Sequence, residues 1–408
     1  MTLENEQPVG TSLGSVEDNL SQPGPEPSVR EGKKELRDLF ADVGEHTEEL
    51  ILNMGPQHPA THGVLRIVLR LNGETIEEAV PDIGYLHRGI EKLAEKWTYP
   101  MVLPVIDRMD YLSVATNEFV YAMAVEKLLG VEVPARGQYI RVIMSELSRI
   151  ASHLIFFATF TLDMGAITPF LYGLREREYI MNLFEMVAGA RLTLSYFRVG
   201  GVREDVPDGF KEKCLEYCDI QEKMLKEYDQ LFTGNRIAVH RMRDLSILPP
   251  DVGLGYGASG PTLRASGVAY DVRKSEPYSG YENFDFNVAT RTEGDSYARY
   301  LVRLDEIGES LKIIRQAVNN LPDGPYMAKV PRVIKPPAGE AVVHIEAPRG
   351  DTGVYLVSDG STNPYRMKWR APTFNHVSML PYMLKGYKIA DSVIIGGSID
   401  VVLGEVDR

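Results

Sequence analysis

The sequence predicts an α+β fold made of a small amino-terminal β-sheet domain, a large antiparallel helical bundle and a carboxyl-terminal segment with short strands. Three observations lead to this prediction. Two strand-like runs flank Asn72-Gly73, a dipeptide typical of two-residue hairpins. Long stretches of strong helix formers follow in the middle of the chain. Near the end, residues 341–345 and 352–357 have strand composition and flank a turn rich in Pro and Gly.

Shifts in composition divide the chain into six predicted units. Charged and Pro-rich sequence without periodicity predicts a mobile tail, whereas periodic apolar sequence predicts packed elements. The units are a mobile acidic tail (1–48), an amino-terminal β domain with a shaped loop (49–86), a helical bundle (87–248), a loop-rich insertion (249–294), a further bundle helix (295–335) and a carboxyl-terminal β/α segment with a buried terminus (336–408).

The bundle should contain five long helices. A connector with Pro100 and Pro104 precedes the first of them, and a last short helical stretch near the chain end should restart at Pro381. The second long helix becomes apolar on all sides toward its end, which predicts that Asp163 is a buried carboxylate in need of a partner. The predicted helices are 111–129, 138–164, 171–194, 208–232 and 295–320.

Composition excludes several classes of protein. The chain has 408 residues and a formal net charge of -13, which argues against unspecific binding to nucleic acid. Its two cysteines, Cys214 and Cys218, are too few for a disulfide framework or a four-ligand metal site, so we interpret them as reduced thiols. No signal-peptide pattern is present, and the apolar run 154–162 is too short for a membrane span. We therefore expect a cytoplasmic chain whose membrane attachment depends on partners.

The loop 53–63 is the most unusual stretch of the sequence. Pro56 and Pro59 exclude a regular helix, so His58 and His62 cannot form the one-sided helical pair of a zinc site. Each histidine taken alone is more often structural than a ligand, because His is commonly half-buried without binding anything. Reducing a dicarbonyl ring needs two protons and donors to both oxygens, which His62 and Tyr111 could supply while Asp163 orients the histidine. Spacing alone does not show that these groups converge.

Other catalytic motifs are weak or missing in the sequence. Gly255, Gly257 and Gly260 match the Gly-x-Gly-x-x-Gly fingerprint of dinucleotide binding, but prolines flank them where a strand and a helix are needed. The sequence contains neither a nucleophile elbow nor a phosphate-binding Gly-x-x-x-x-Gly-Lys loop.

Seven motifs in order resemble a known family between about residues 50 and 408. They are Gly-Pro-Gln-His-Pro-Ala-Thr-His-Gly, Tyr-Leu-His-Arg-Gly-Ile-Glu-Lys, Arg-Met-Asp-Tyr-Leu, Leu-Asp-Met-Gly-Ala-Ile-Thr-Pro-Phe, Ser-Gly-Pro-Thr-Leu-Arg-Ala-Ser-Gly, Glu-Ala-Pro-Arg-Gly and the final Gly-Glu-Val-Asp-Arg. The chain resembles the family of D subunits, the quinone-site subunits, of proton-pumping NADH-quinone oxidoreductase, respiratory complex I. The tail before residue 50 is unmatched.

That family is related to the large subunit of nickel-iron hydrogenases, in which two Cys-x-x-Cys pairs hold the nickel. Those four positions would fall on Asp110, Ser113, Val402 and Glu405, so no thiolate remains. A nickel enzyme is therefore excluded on ligand chemistry. The resemblance implies instead that the old metal cavity became a pocket for a quinone headgroup, facing a partner subunit that carries the terminal iron-sulfur cluster.

The resemblance also assigns roles to single residues. It implies a catalytic set in which His62 and Tyr111 bind the headgroup and Asp163 pairs with the histidine. Arg88 matches an arginine beside the partner's cluster, His58 belongs to the quinone-site loop, and Thr159 is expected in the pocket wall. The chain departs from the family at Thr193, where many members have a histidine, so we expect the potential of the cluster to depend little on pH.

The expected function is therefore that of a complex I subunit which passes electrons from NADH to quinone, coupled to proton translocation. No cofactor is expected on this chain alone, since FMN and the iron-sulfur clusters belong to partner subunits. Expected partners are the terminal-cluster subunit, the adjoining C subunit and the membrane-arm quinone-channel subunit, with no nucleic acid. The expected location is peripheral, on the cytoplasmic side of the cell membrane. A catalytically silent scaffold is the remaining alternative, and the sequence does not distinguish ubiquinone from menaquinone.

Overall fold

The computed structural model describes residues 49–57 and 63–408. The predicted tail, 1–48, lies outside this part of the chain. The first sheet is antiparallel in the order β1 (Glu49–Met54), β2 (Arg66–Asn72), β3 (Thr75–Asp82). Asn72 pairs with Thr75 across the turn, and Gly73 has a positive φ of 60°, which glycine adopts without steric cost. The predicted Asn-Gly hairpin is confirmed.

Long helices form the centre of the fold, as predicted. The helix that ends at Asp163 packs against the helix that follows it in the chain. A short turn joins the two helices, and Gly165 in this turn has a positive φ of 80°. It is the one described helix that is long and apolar enough to cross a membrane, and 89% of its most apolar window is buried inside the protein. A mostly buried core helix meets the same criteria of length and apolar composition. The long helices are α3 (Val114–Leu129), α4 (Ala135–Asp163), α5 (Ile167–Ala188), α6 (Phe210–Tyr228) and α11 (Ser296–Asn319).

The predicted connector before the bundle is instead mostly helical. After α1 (Ile90–Ala94), a second helix, α2 (Tyr99–Ile106), occupies most of the segment. Pro100 lies in its first turn, where the missing amide donor costs nothing, and Pro104 lies inside it. Four residues of α2 are buried, namely Tyr99, Val102, Leu103 and Ile106, so packing outweighs the proline penalty.

The loop-rich region 249–294 contains only short helices and no strand, among the residues that the structure describes. Gly260, the last glycine of the apparent dinucleotide fingerprint, begins a five-residue helix and lies against the backbone of Arg349 and Gly350. A side chain at position 260 would collide with that backbone, so glycine is what allows the two chain segments to lie this close together. The short helices from the end of α6 onward are α7 (Arg236–Met242), α8 (Pro250–Gly255), α9 (Gly260–Arg264) and α10 (Val272–Ser275).

The carboxyl-terminal segment forms an antiparallel sheet followed by four helices. The two predicted strands are present, and a third strand joins them. Helix α13 begins just before Pro381, so the predicted restart is confirmed, and the residues from Val401 to Asp407 are buried as expected. The elements are β6 (Gly339–Ala347), β7 (Gly350–Ser358), β8 (Arg366–Arg370), α12 (Pro372–Ser378), α13 (Leu380–Leu384), α14 (Ile389–Ser398) and α15 (Leu403–Asp407). A two-residue pair, β4 (Phe197–Arg198) and β5 (Gly201–Val202), lies between α5 and α6.

Candidate functional site

Tyr111 lies half-buried in the turn between α2 and α3. Helix α15 packs directly on this turn: a Cβ added to Gly404 would lie 2.5 Å from the carbonyl oxygen of Met109 and 3.4 Å from Cδ1 of Tyr111. Burial raises the pKa of the Tyr111 phenol, and nearby Arg349 opposes that rise. Tyr111 is therefore a neutral hydrogen-bond donor at neutral pH.

The same carboxyl-terminal segment lies against the other predicted site elements. A Cβ added to Gly397 would lie 3.1 Å from Oδ2 of Asp163, and one added to Gly63 would lie 3.1 Å from Cδ1 of Leu403. Asp163, Tyr111 and the end of the 53–63 loop thus share one wall, formed by residues 397–404. His58 and His62 lie outside the described residues, so their predicted roles stay predictions.

The prediction that Asp163 is buried is wrong for this chain. Its side chain is partly exposed, and the preceding Leu162 is 42% exposed. Burial along α4 ends at Thr161, one residue before Leu162, and the apolar pattern alone does not reveal that change. Thr159, one turn earlier, is half-buried, and its hydroxyl donates to the carbonyl oxygen of Ile155 at 2.9 Å.

Arg349 is the central charged residue behind Tyr111, and sequence reasoning did not single it out as a site residue. Its Nη1 donates to Oδ2 of Asp110 at 2.8 Å and its Nε to the carbonyl oxygen of Asp400 at 3.0 Å. Its Nε also lies 3.4 Å from Oδ2 of Asp400. The guanidinium and both carboxylates are buried. The motif Glu-Ala-Pro-Arg-Gly contains this arginine and was the signal that could have found it.

The four positions that match hydrogenase nickel ligands come together, since Asp110 and Ser113 lie in the turn before α3 and Val402 and Glu405 at α15. All four are buried. The hydroxyl of Thr373 donates to Oε2 of Glu405, and burial together with Asp110 raises the pKa of Glu405 to about 7. These four positions offer carboxyl groups, a hydroxyl group and an apolar side chain rather than soft sulfur ligands, so they do not suit nickel.

Arg88 lies at the surface on the other side of the Tyr111 turn. Its Nη2 donates to the carbonyl oxygen of Arg108 at 2.7 Å, and its backbone amide to the carbonyl oxygen of Arg408 at 3.3 Å. Partial burial and the charge of Arg108 lower its pKa from that of a free arginine, and it remains a cation. Through Arg108, Arg88 is coupled to the segment that carries Tyr111.

Thr193, the departure from the family pattern, precedes a segment that contacts two buried carboxyl groups. The backbone amide of Ser195 donates to Oδ2 of Asp107 at 3.2 Å. The amides of Tyr196 and Phe197 donate to Oε2 of Glu118 at 2.9 and 2.5 Å. Titratable groups therefore lie beside this segment even though position 193 is threonine.

A second set of buried charges fills the bundle centre. Arg264 donates to Glu346 at 2.7 Å and to Glu306 at 2.9 Å, and His153 contacts Glu306 at 2.8 Å. Asp271, Glu306 and Glu346 are close enough to hold a cation. Each of the three already contacts a buried guanidinium, which supplies the positive charge. The members are Glu146, Arg149, His153, Arg264, Asp271, Arg273, Glu306 and Glu346.

Comparison with known proteins places this fold in a defined class. The family model for the 49 kDa subunit of respiratory-chain NADH dehydrogenase matches residues 163–408. A protein of Desulforamulus reducens, named as the D subunit of NADH-quinone oxidoreductase, is 54% identical over 361 residues, covering 88% of this chain and 99% of the relative. A protein of the same name in Bacillus cytotoxicus is 51% identical to this chain over 362 residues, covering 88% of this chain and 99% of the relative.

A solved structure supports the same conclusion. One chain of the membrane-bound sulfane sulfur reductase, an archaeal respiratory membrane complex, superposes with a TM-score of 0.86 at 36% identity, covering 90% of this chain and all of that one. The fold and these relatives define a subunit of a respiratory oxidoreductase complex. Within that class, the chain belongs to the family of the 49 kDa subunit of respiratory-chain NADH dehydrogenase, which includes the bacterial D subunits of NADH-quinone oxidoreductase. The resemblance seen in the motifs, the fold class and the assignment to an oxidoreductase are confirmed.

Proposed function

We propose that this chain forms a quinone-reduction site together with a partner subunit that carries the terminal iron-sulfur cluster. In this proposal electrons from NADH pass through FMN and iron-sulfur clusters on partner subunits to the quinone, and the reaction is coupled to proton translocation. The adjoining C subunit and the membrane-arm quinone-channel subunit would be further neighbours. The chain would be peripheral, on the cytoplasmic side of the membrane.

One observation carries the proposal: Tyr111 and Asp163 both border the wall 397–404, which also meets the end of the 53–63 loop. A quinone headgroup needs hydrogen-bond donors at its carbonyl oxygens and two protons on reduction. Tyr111 can donate to one carbonyl oxygen because its phenol is neutral and lies beside a fixed guanidinium. His62 would serve the other carbonyl, oriented by Asp163, and Thr159 and His58 would complete the pocket. The electrons themselves would come from the partner's cluster.

Substituting Tyr111→Phe tests this proposal because it removes only the hydroxyl group. The complex should still assemble, while quinone-reductase turnover should fall by about 10² to 10³, the loss typical of one donor to developing charge. Tyr121→Phe is a matched control, since Tyr121 is also buried and donates to the carbonyl oxygen of Tyr99 at 3.1 Å. Parental turnover in the assembled Tyr111→Phe variant would contradict the role.

A second measurement separates an active site from a silent scaffold. A bound short-chain quinone should protect the Tyr111 hydroxyl against chemical modification in the assembled complex, because the headgroup covers it. Equal modification with and without saturating quinone would favour the scaffold alternative.

A further inference from the structure

The Asp407 carboxylate, at the end of α15, holds the backbone of the surface loop 83–89. The Gly84 amide donates to its Oδ1 at 2.8 Å, and the Leu86 amide donates to its Oδ2 at 2.7 Å. Asp407 itself is only 7% exposed. Hydrogen bonds to an ionised acceptor are about twice as strong as those between neutral groups, so this carboxylate fastens the loop firmly.

The backbone of Asp407 and Arg408 holds the next two residues of the same loop. Nδ1 of His87 lies 2.6 Å from the carbonyl oxygen of Asp407, and this nitrogen donates, because a carbonyl oxygen can only accept. The Arg88 amide donates to the carbonyl oxygen of Arg408 at 3.3 Å. Loop positions 84, 86, 87 and 88 are thus all joined to residues 407 and 408.

This fastening determines where the Arg88 side chain can reach. The Arg88 side chain lies at the surface, and a free arginine side chain would sample many rotamers. From its fixed backbone, Nη2 of Arg88 donates to the carbonyl oxygen of Arg108 at 2.7 Å, in the turn that carries Tyr111. Helix α15 packs on that same turn through Gly404. One helix therefore holds both the loop of Arg88 and the turn of Tyr111.

We propose that Asp407 is a positioning residue for Arg88: its carboxylate fixes the loop 83–89 so that the Arg88 guanidinium lies against the partner's iron-sulfur cluster. This inference rests on the proposed function and on the expected place of Arg88 beside that cluster. Asp407 takes no part in electron or proton transfer. It acts by holding a cation in place.

Electrostatics separates this role from a direct effect of the Asp407 charge. An anion near the cluster disfavours reduction, so loss of the Asp407 charge alone would raise the midpoint potential of the cluster. A cation near the cluster favours reduction, so loss of the Arg88 position would lower the potential. The two effects have opposite signs, and the sign of the measured shift tells them apart.

Asp407→Asn in the assembled complex is the first test. Asparagine keeps the size of the side chain, but its NH2 group cannot accept a hydrogen bond, so one of the two loop amides loses its acceptor. In a redox titration followed by electron paramagnetic resonance, the potential of the cluster should fall, in the same direction as in Arg88→Met. An unchanged or raised potential, beside a lowered one in Arg88→Met, would overturn the positioning role.

The double variant tests whether Asp407 acts through Arg88. Adding Asp407→Asn to Arg88→Met should not lower the potential further, because the cation that Asp407 positions is already missing. A further fall as large as that in the single Asp407 variant would overturn this route. If Arg88→Met alone left the potential unchanged, Arg88 would not lie beside the cluster, and this inference would be wrong. Failure of the quinone site is recognised separately, by parental turnover in Tyr111→Phe.

Asp295→Asn is the matched control. Asp295 is 2% exposed, and its two carboxylate oxygens also bridge two backbone amides, those of Asp244 at 2.8 Å and Ala298 at 2.7 Å. None of these residues belongs to the loop 83–89. The Asp295 variant should therefore leave the potential of the cluster unchanged. An equal fall in both variants would show a general loosening of the protein and would overturn the specific role of Asp407.

Residue-resolved hydrogen exchange measures the fastening without reference to the cluster. In assembled Asp407→Asn, the Gly84 and Leu86 amides should exchange at least about tenfold faster than in the parent, as expected when a hydrogen bond to a charged group is lost. Parental exchange rates would overturn the fastening.

The parental complex decides the case if the asparagine variant does not assemble. Its Gly84 and Leu86 amides should exchange more slowly than the amide of Tyr85, which lies between them and has no acceptor among the described residues. Equal exchange at these three positions would overturn the proposal.

Discussion

Asp107 and Glu118 lie close enough in the protein core for each carboxyl group to shift the pKa of the other. Oδ1 of Asp107 and Oε1 of Glu118 are buried, and neither accepts from an N–H or O–H group of any other described residue. Two neighbouring buried carboxylates repel each other, and burial followed by the charge of Asp107 raises the pKa of Glu118 well above its usual range. We therefore expect the pair to hold one proton at neutral pH.

Glu118→Gln should remove a pH-dependent cost of this pair. The raised pKa of Glu118 means that the native chain retains a proton that the unfolded chain has lost, so parental stability falls as pH rises above the unfolded value near 4.3. The side-chain oxygen of glutamine can accept hydrogen bonds from the same two backbone amides, and its NH2 group can donate a hydrogen bond to Asp107. Thermal midpoints should agree at about pH 5, and the variant should be more stable at about pH 8.5, by roughly 1 kcal/mol or more. If the thermal midpoints of the parent and the variant changed in parallel with pH, the pair would not share a proton.

Gly404→Ala should damage the site by steric contact. Its new Cβ would lie 2.5 Å from the Met109 carbonyl oxygen, a backbone atom that cannot rotate away. We expect a destabilisation of about 1 to 3 kcal/mol, as for other overpacked sites, together with lower quinone turnover because the Tyr111 turn must move. Gly396→Ala is the control, since its new Cβ would point into open space, away from other elements of the protein. Equal melting temperatures and activities for the two variants would contradict this packing.

Asp163→Asn tests the coupling role of the proposed His62–Asp163 pair. When His62 gives its proton to the reduced quinone, the attraction between its ring and the Asp163 carboxylate weakens, so the pair can rearrange. Asparagine cannot hold that charge. We expect retained quinone binding, turnover or proton pumping lowered by about tenfold, and a shifted pH profile. The exposed Asp208→Asn is the control. A parental ratio of protons pumped to quinone reduced, across neutral pH, would make the pair structural.

Arg88→Met should lower the midpoint potential of the partner's cluster if Arg88 lies beside it. A fixed cation favours the reduced cluster, and losing about 1 kcal/mol of attraction corresponds to roughly 40 mV for one electron. Redox titration followed by electron paramagnetic resonance measures this shift. Lys312→Met, an exposed residue on α11, should leave the potential unchanged. An identical potential in the Arg88 variant would argue against the proposed contact.

Local features of the sequence predicted local structure well. The Asn72-Gly73 turn and the long helices follow from a few neighbouring residues, and the structure contains them. Asp163 and Arg349 show where such reasoning ends. The exposure of Asp163 depends on which distant elements cover the last turn of α4, and the partners of Arg349 are 239 and 51 positions away along the chain. The α2 helix was missed because burial outweighed two prolines.

The loop-rich region 249–294 has a consequence for how this family can change over time. It looked like an addition to the bundle, yet it supplies Arg264 and Arg273, whose charges neutralise Glu146 on α4 and Glu306 on α11. A homologue that lost this region would leave those two glutamates to share the single guanidinium of Arg149, so that one negative charge in its core would be in excess. Shortening of the region should therefore be inherited together with a neutral residue at one of the glutamate positions, so that the region and the two glutamates vary as one unit among descendants.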